Sequence, residues 1–547
     1  AFFGCSNLSG KIEIPYKVTS IEEKVFYNCS NLTHITIPDS VTIIGDSAFF
    51  GCSSLESIII PFIGAELNGT TNTHFGYLFG APSYSDNSDY APSTLKEVVI
   101  IGGTTLGDYA FYNCRGLTSI TIPDSVTTIG GNAFFGCSSL ERMIIPFIGA
   151  ELNGTANTHF GHIFGATSYS NNSDYVPSTL KEVVITGGTS IDDYAFYDCG
   201  DLTSVAMPNS ITSFGEGAFF GCSSLESIII PFIGAELNGT TNTHFGYIFG
   251  ASSYSNNSSY VPSTLKKVVI IGGTSIDDYA FYDCSGLTSI TIPNTTIRVG
   301  EYAFSNCNKI IQTENGINYV DKWVIDCDNA VSQVRLRDDT VGIADRAFYN
   351  SRSLTSITIP DSVTSIGYEA FWICSGLTSI TIPDSVTSIG SYAFRACSGL
   401  TSITIPDSVT SIGSSVFQGC SGLENITVEQ GNPNYHSAGN CIIETASKTL
   451  IAGCKSSVIP NDDSVISIGD YAFCGCNRLT NITIPDSVIS IGDYAFAHCN
   501  RLTNITIPDS VISIGDEAFT YCSSLTSMTI PDSVTSIESR AFQGCSS

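Results

Sequence analysis

The fourteen residues LTSITIPDSVTSIG stand at positions 377–390 and recur unchanged at 400–413. Repetition at a fixed period constrains a fold more tightly than any single motif. It forces successive segments into one local structure and makes each segment's neighbour a copy of itself. The ruler is the pair Ala-Phe, twice Val-Phe, followed three residues after the Phe by Cys. Cys374, Cys397 and Cys420 are 23 residues apart, as are Cys476, Cys499, Cys522 and Cys545. The unit reads L-x-x-I-x-I-P-x-x-V-x-x-I-G-x-x-A-F-x-x-C-x-x. It has seventeen anchors, one with Ser351 in place of Cys.

A second period of 85 residues lies on the first. It separates Cys52, Cys137 and Cys222, and also Cys114, Cys199 and Cys284. Each block joins one plain unit to one long unit of about 62 residues, and the region 53–284 holds three long units. The added sequence occupies 61–100, 146–185 and 231–270. Residues 308–350 form a single irregular coil and 429–469 a hairpin-like one. The expected organisation is one continuous solenoid over 1–547, of roughly 22 coils.

Within a unit, Ile380 and Ile382 alternate with Thr381, the period of a strand covered on one face. Pro383 ends that strand because it offers no N–H to a ladder. Asp-Ser turns the chain, and Gly390 is expected to allow a sharp bend. The segment SYAFRAC reads as a helical turn or short helix capped by Ser391, with Ala393, Phe394 and Cys397 pointing inward. One unit cannot bury these residues alone, whereas stacked units bury a continuous column.

The string from Leu through I-P, I-G and A-F-x-x-C resembles the BspA-like leucine-rich repeat family over nearly the whole chain. The resemblance implies an α/β repeat fold: a curved right-handed solenoid with a parallel β-sheet and short helices or turns in each coil. It also implies cell-surface display and binding, including adhesion to host matrix proteins. It supplies no catalytic residues. The long units depart from the plain pattern, so the curvature is expected to be disturbed there.

The formal charge is −29, from 51 acidic and 22 basic residues. That balance excludes nucleic acid as the expected partner, because phosphate binding needs clustered Lys and Arg. No apolar run is long enough to span a bilayer. The chain opens and closes partway through a repeat, so it is expected to be a fragment whose targeting signal and anchor lie outside it. Sixteen of the 20 cysteines sit at the anchor. Each would have an equivalent neighbour on both sides, so nothing selects a disulfide partner, and buried free thiols are expected. Cys441 and Cys454 flank a hairpin and are the best pair for a disulfide. Ser351 leaves the thiol column without compensation.

Signatures of P-loop, zinc-peptidase and serine-hydrolase chemistry are absent, so no enzyme, cofactor or metal is expected. His74, His159 and His244 recur at one place in three long units, which suits a turn or packing role. His162, standing where the other copies have Tyr77 and Tyr247, is expected to be exposed. Asp361, Asp384, Asp407, Asp486, Asp509 and Asp532 would line one edge as turn residues, with weak calcium capture as the alternative. The outward strand residues are mostly Ser and Thr. The pairs Phe75/Phe79, Phe160/Phe164 and Phe245/Phe249 are expected in a local core.

The candidate ligand contacts are Tyr84, Tyr90, Tyr169, Tyr175, Tyr254 and Tyr260. They lie in SYSDNSDY and its two relatives, which join rigid aromatic area to adaptable hydrogen-bonding groups. The expected function is non-enzymatic adhesion outside the cell, with a protein or glycan ligand and a monomeric chain. The alternative is a passive stalk that displays another domain.

Overall fold

In the strand Arg142–Ile145, Met143 and Ile145 are buried while Arg142 and Ile144 are partly open. This is the period-two pattern of a sheet with one covered face. The computed structural model describes residues 1–545. They divide into two units. One is Ala1–Gly273 with Ala280–Pro293 and Phe304–Ile310. The other is Thr274–Tyr279, Asn294–Ala303 and the described chain from Ile311 onward. Both are parallel β-solenoids in which each coil lies on the next.

The first unit carries an 11-stranded parallel sheet that runs from Gly10–Glu13 to Ser289–Thr291. Its register aligns Ile58, Val98, Ile120, Met143, Val183, Val205, Ile228 and Val268 in one buried row. Each long unit supplies two of the strands, for example Ser57–Ile60 and Glu97–Ile100. The added residues therefore make a complete further coil of 40 residues, followed by one of 22, and not a loop hung on a plain coil. The signal was present in LKEVVI at 95–100, which repeats the L-x-x-I-x-I pattern. The outward face here also differs from expectation. Ile59, Val99, Ile144, Val184 and Ile229 interrupt the Ser/Thr pattern.

In the second unit the Ser-Ile pairs before Gly form the longer sheets. Ser365–Ile366, Ser388–Ile389 and Ser411–Ile412 lie in register, and so do the pairs at 467, 490, 513 and 536. Both irregular segments are antiparallel meanders. Gln312–Glu314, Ile317–Val320 and Trp323–Cys327 make one. Tyr435–Ala438, Cys441–Glu444 and Thr449–Ala452 make the other. In each, the last strand pairs in parallel with the next plain coil. The fourteen-residue stretch also stands unchanged at 354–367, and its three copies differ: Ser356–Thr358 and Ser402–Ile405 are strands, whereas 377–382 joins no sheet. It keeps the alternation, with Ile380 and Ile382 buried, but the backbone link to the preceding coil is a long one, Thr378 N–H to Thr355 O at 3.3 Å.

The core is a column of phenylalanines. Phe348, Phe371, Phe394 and Phe417 stack with ring centroids 5.0, 5.4 and 5.7 Å apart and planes within 7°. Each buried ring contributes about 1.5–3 kcal/mol of transfer free energy. Beside it runs a column of thiols. All 20 cysteines are free, Cys441 and Cys454 included. The anchor thiol donates to the Phe carbonyl 26 residues upstream, as from Cys374 to Phe348 O and from Cys397 to Phe371 O, both 3.1 Å. Burial pushes Cys137 and Cys420 up to about 12. Ser351 does have a compensating partner, contrary to expectation. Its Oγ lies 3.0 Å from the buried thiol of Cys327 and donates to Asn329 Oδ1 at 3.0 Å.

The recurring Ser and Thr hydroxyls also bond from coil to coil. Ser385 donates to Val363 O at 2.7 Å, Ser408 to Val386 O at 2.8 Å, and Thr387 to Thr364 O at 3.2 Å. The Ser of Pro-Asp-Ser therefore makes the inter-coil bond, and the six aspartates from Asp361 to Asp532 face solvent beside it.

Two expectations fail on backbone geometry. Gly390 is not there for a bend. A Cβ on it would meet Gly367 C at 2.5 Å and Tyr368 N at 2.6 Å, so glycine is required because adjacent coils approach too closely for a side chain. SYAFRAC is not a helix. Tyr392 (φ 58°) and Ala396 (φ 56°) are left-handed, and these two residues fold the segment as consecutive turns. Ser391 accepts instead from the coil above, with Ser414 N–H donating to its Oγ at 3.1 Å. Asp470 and Asp493 do the same for the amides of Asp493 and Asp516.

These positions give opposite mutational signs. Ile373 holds φ 64° where most other coils have Gly, Asn or Asp and none has a β-branched residue, and a β-branched residue is strained there. Ile373→Gly is expected to raise the chemical-denaturation midpoint, by about 1 kcal/mol in stability. Gly390→Ala is expected to cost about 2–3 kcal/mol in the same measurement.

Candidate functional site

The long coils differ most from the plain pattern, so the site is built from them. After the strand Ser57–Ile60 the chain crosses Gly64 (φ 100°) and Asn68 (φ 56°). The Asn68 carboxamide oxygen accepts from Thr104 N–H at 2.7 Å and from its hydroxyl at 2.9 Å, and Asn153 does the same with Thr189. Asn68 and Asn153 thus cross-link successive turns.

His74 then starts the 3-10 helix Phe75–Phe79, which Gly80 ends at φ 87°. Tyr84–Asp86 is a second 3-10 turn and runs into the four-residue helix Asn87–Tyr90. Asn87, wholly buried, ties these pieces together. Its Oδ1 lies 3.0 Å from His74 Nδ1 and accepts from Gly76 N–H at 2.9 Å, and its Nδ2 donates to Ala110 O at 3.2 Å. Asn172 repeats this with His159, Gly161 and Ala195. In the third copy Asn257 keeps its bonds to Gly246 and Ala280, while His244 turns its Nε2 to Ala251 O at 3.0 Å. The sequence signal for this hub is an Asn at one place in three copies, Asn87, Asn172 and Asn257.

The histidines therefore pack, as expected. Burial holds His74, His159 and His244 below the usual histidine range, against small opposing effects of their hydrogen bonds. His162 is half-buried, not exposed as expected, and its ring meets that of His159 edge-on at 6.1 Å. Burial first, and His159 second, lower its pKa.

The short helices also continue two aromatic ladders through the long coil. Phe79 lies 6.3 Å from Phe49, Phe75 lies 4.9 Å from Phe111, and Phe75 and Phe79 meet each other at 5.3 Å. The inner column is thus unbroken. The outer ladder is formed by the residue after each anchor Phe. Phe3, Tyr27 and Phe50 stack at 4.8 Å steps and end on Tyr90 at 6.3 Å. From Tyr84 the ladder resumes through Tyr112 (5.6 Å) and Phe135 (5.3 Å) to Tyr175 (6.3 Å). From Tyr169 it passes Tyr197 and Phe220 to Tyr260, and Tyr254 meets Tyr282 at 5.7 Å.

All six tyrosines singled out in the sequence thus lie at the two ends of these bridging turns. Each is 38–42% exposed. Tyr84 and Tyr169 stack their ring faces on Tyr109 and Tyr194 at 4.4 and 5.0 Å, whereas Tyr90, Tyr175 and Tyr260 meet Phe50, Phe135 and Phe220 at tilts of 55–59°. What the ladder offers to a partner is ring edges and phenol hydroxyls, spaced by three coils from block to block, or about 14 Å at the usual strand separation.

The buried charges lie elsewhere and are paired. In the second unit Arg298 meets Asp345, Asp278 and Asp277 at 2.8, 2.6 and 3.3 Å. Arg346 meets Glu301 and Glu369 at 2.6 Å. Burial pushes Asp345 up to about 6 against the pull of Arg298. Among the described residues no three His, Cys, Asp or Glu side chains are grouped to hold a metal, and no helix is long and apolar enough to cross a membrane.

The sequence pattern of the BspA type leucine rich repeat region matches six times, over 1–72, 90–160, 189–238, 252–375, 341–449 and 444–547. The chain belongs to the BspA-type leucine-rich repeat family. The three gaps, at 73–89, 161–188 and 239–251, fall on the bridging turns of the long coils. Among solved structures, the chain is similar to a leucine rich cell surface protein of Faecalibacterium prausnitzii A2-165. The two are 25% identical over 66% of this chain and 79% of that one, with a TM-score of 0.32. A leucine-rich repeat protein of Bacteroides ovatus is 22% identical over 98% and 84%, with a TM-score of 0.21. One from Eubacterium ventriosum is 21% identical over 69% and 87%, with a TM-score of 0.24. No curated protein matches.

The buried histidines set a pH dependence. A histidine held below its usual range binds more protons when unfolded, so stability rises with pH through that range. It is fully present above about pH 7.5 and declines as pH falls through the ordinary histidine value near 6.5. Hydrogen exchange at Gly76, Gly161 and Gly246 is expected to quicken between pH 7.5 and 5.5, beyond the intrinsic pH effect. Changing all three histidines to Gln should flatten that dependence.

Proposed function

We propose that this chain is a non-enzymatic cell-surface binding protein that adheres to proteins or glycans of a host or a neighbouring cell. Tyr84, Tyr90, Tyr169, Tyr175, Tyr254 and Tyr260 are its contact residues. The observation that carries this reading is the triplicated, two-fifths-exposed end of the outer aromatic ladder. Tyrosine gives contact area at low conformational cost, and Ser83, Ser85 and their copies add adaptable hydrogen bonds beside it. Three copies on one unit permit multivalent attachment, which raises avidity without new contacts. Membership of a repeat family, and likeness to a protein described as a leucine rich cell surface protein, support extracellular display. In this reading the chain acts as a monomer.

A second reading is a passive stalk, and the stacked ring faces favour it, since they already serve the ladder. The two readings part in a solid-phase assay of the whole chain against matrix proteins and surface glycans. Changing the six tyrosines to Phe keeps the stack and removes the hydroxyls; changing them to Ala removes both. Loss of about tenfold or more in both variants is expected, as for polar hot-spot contacts. Loss in the Ala variant alone assigns the contact to the rings. Undiminished binding in both variants overturns the site, and no binding by any protein makes the stalk the better account.

A further inference from the structure

Where two plain coils stack, the anchor thiol donates to a carbonyl 26 residues upstream, as Cys137 does to Phe111 O at 3.1 Å. After a long coil this partner is lost. The residue 26 before Cys114 is Ser88, and that before Cys284 is Ser258, both inside the short bridging helices. Cys114 is 7% exposed and its thiol meets no acceptor, and Cys284, 3% exposed, reaches only Tyr282 O at 3.9 Å. At each of these thiols a cleft opens in the first unit, about 250 Å³ beside Cys114 and about 200 Å³ beside Cys284. The same walls recur two blocks apart: Pro92, Leu95 and Leu117 in one, Pro262, Leu265 and Leu287 in the other.

We propose that each cleft binds a small, uncharged, apolar molecule with one hydrogen-bond acceptor, of the class of aryl or branched-acyl carbonyl compounds. Size fits, because an apolar cavity of about 150 Å³ takes benzene. The proline and leucine walls reward burial of apolar surface at about 25 cal/mol per Å², and serines such as Ser93 and Ser263 line the rest. The thiol supplies a buried donor common to both clefts, and a ligand carbonyl would take the place of the missing main-chain carbonyl. Burial keeps both thiols protonated, so the contact is a hydrogen bond with no covalent step. Asp89 and Arg115 border the first cleft and Lys266, Asp283 and Lys309 the second; no charged residue stands at the same place in both, so recognition common to the two rests on the prolines, the leucines and the thiol. This inference is independent of the adhesive reading.

The probe is acetophenone, set against ethylbenzene, which has nearly the same shape and no acceptor. Both are titrated into the whole chain and followed by saturation-transfer NMR. Acetophenone is expected to bind saturably and about threefold or more tighter than ethylbenzene, the difference one neutral hydrogen bond makes. Ala91→Trp with Val261→Trp, at partly exposed mouth positions, should abolish binding of both. Cys114→Ala with Cys284→Ala should bring acetophenone down to ethylbenzene, whereas Cys→Ser at both sites should keep the preference. Binding that survives the Trp pair, a preference that survives the Ala pair, or no saturable binding of either probe overturns the proposal. Unchanged melting of the Trp variant shows that its loss is local.

Discussion

The stacking of one coil's phenylalanine on the next is the contact on which everything else rests. Rings held about 5 Å apart set the rise of the solenoid, and that rise matches the spacing at which backbone N–H and C=O groups pair between parallel strands. Once the rise is set, each small invariant residue has a reason. Glycine at 390 makes room for the coil below, and Ser385 and Thr387 reach its carbonyls. The anchor thiol finds a main-chain oxygen that the turn would otherwise leave open. The energetic unit is the interface between coils and not the coil itself, as in other repeat proteins.

The long coils show how an inserted segment is made compatible with that contact. Thirty-six residues between strands would interrupt both ladders if they formed a solvated loop. Instead two 3-10 turns and one helical turn place Phe75 and Phe79 in the inner column and Tyr84 and Tyr90 in the outer one. Asn87 holds the pieces with one side chain that serves His74, Gly76 and Ala110. The polar cost of burying an asparagine is met because its carboxamide is bonded at both ends.

Much of this was legible in the sequence. The period, the inward Ala, Phe and Cys, the free thiols, the packing role of His74 and the burial of the Phe75/Phe79 pair all follow from spacing and residue type. What misled was local reasoning about single residues. Gly390 suggested a bend, and Ser391 a helix cap, because isolated segments use them so. Their reasons lie in the adjacent coil, 23 residues away, which a window along the chain does not see. Cys327 beside Ser351 is a second case, since the compensating thiol comes from a meander with no anchor motif. The six tyrosines were found by composition, but their place at the ends of a ladder needed the aromatic residue after each anchor Phe, at Tyr27, Tyr112 and Tyr197, to be read as a column.

An 85-residue block is three coils long and begins and ends at the same phase of the repeat. The interfaces at its two edges are therefore chemically alike, Phe against Phe and hydroxyl against carbonyl. Insertion or loss of one whole block translates the remaining coils along the axis and leaves every surviving neighbour pair as it was. Insertion of part of a coil breaks the ladders at one seam. Length is thus a nearly free variable in this architecture, but only in whole blocks or whole coils, and the number of tyrosine-bearing turns is varied with it.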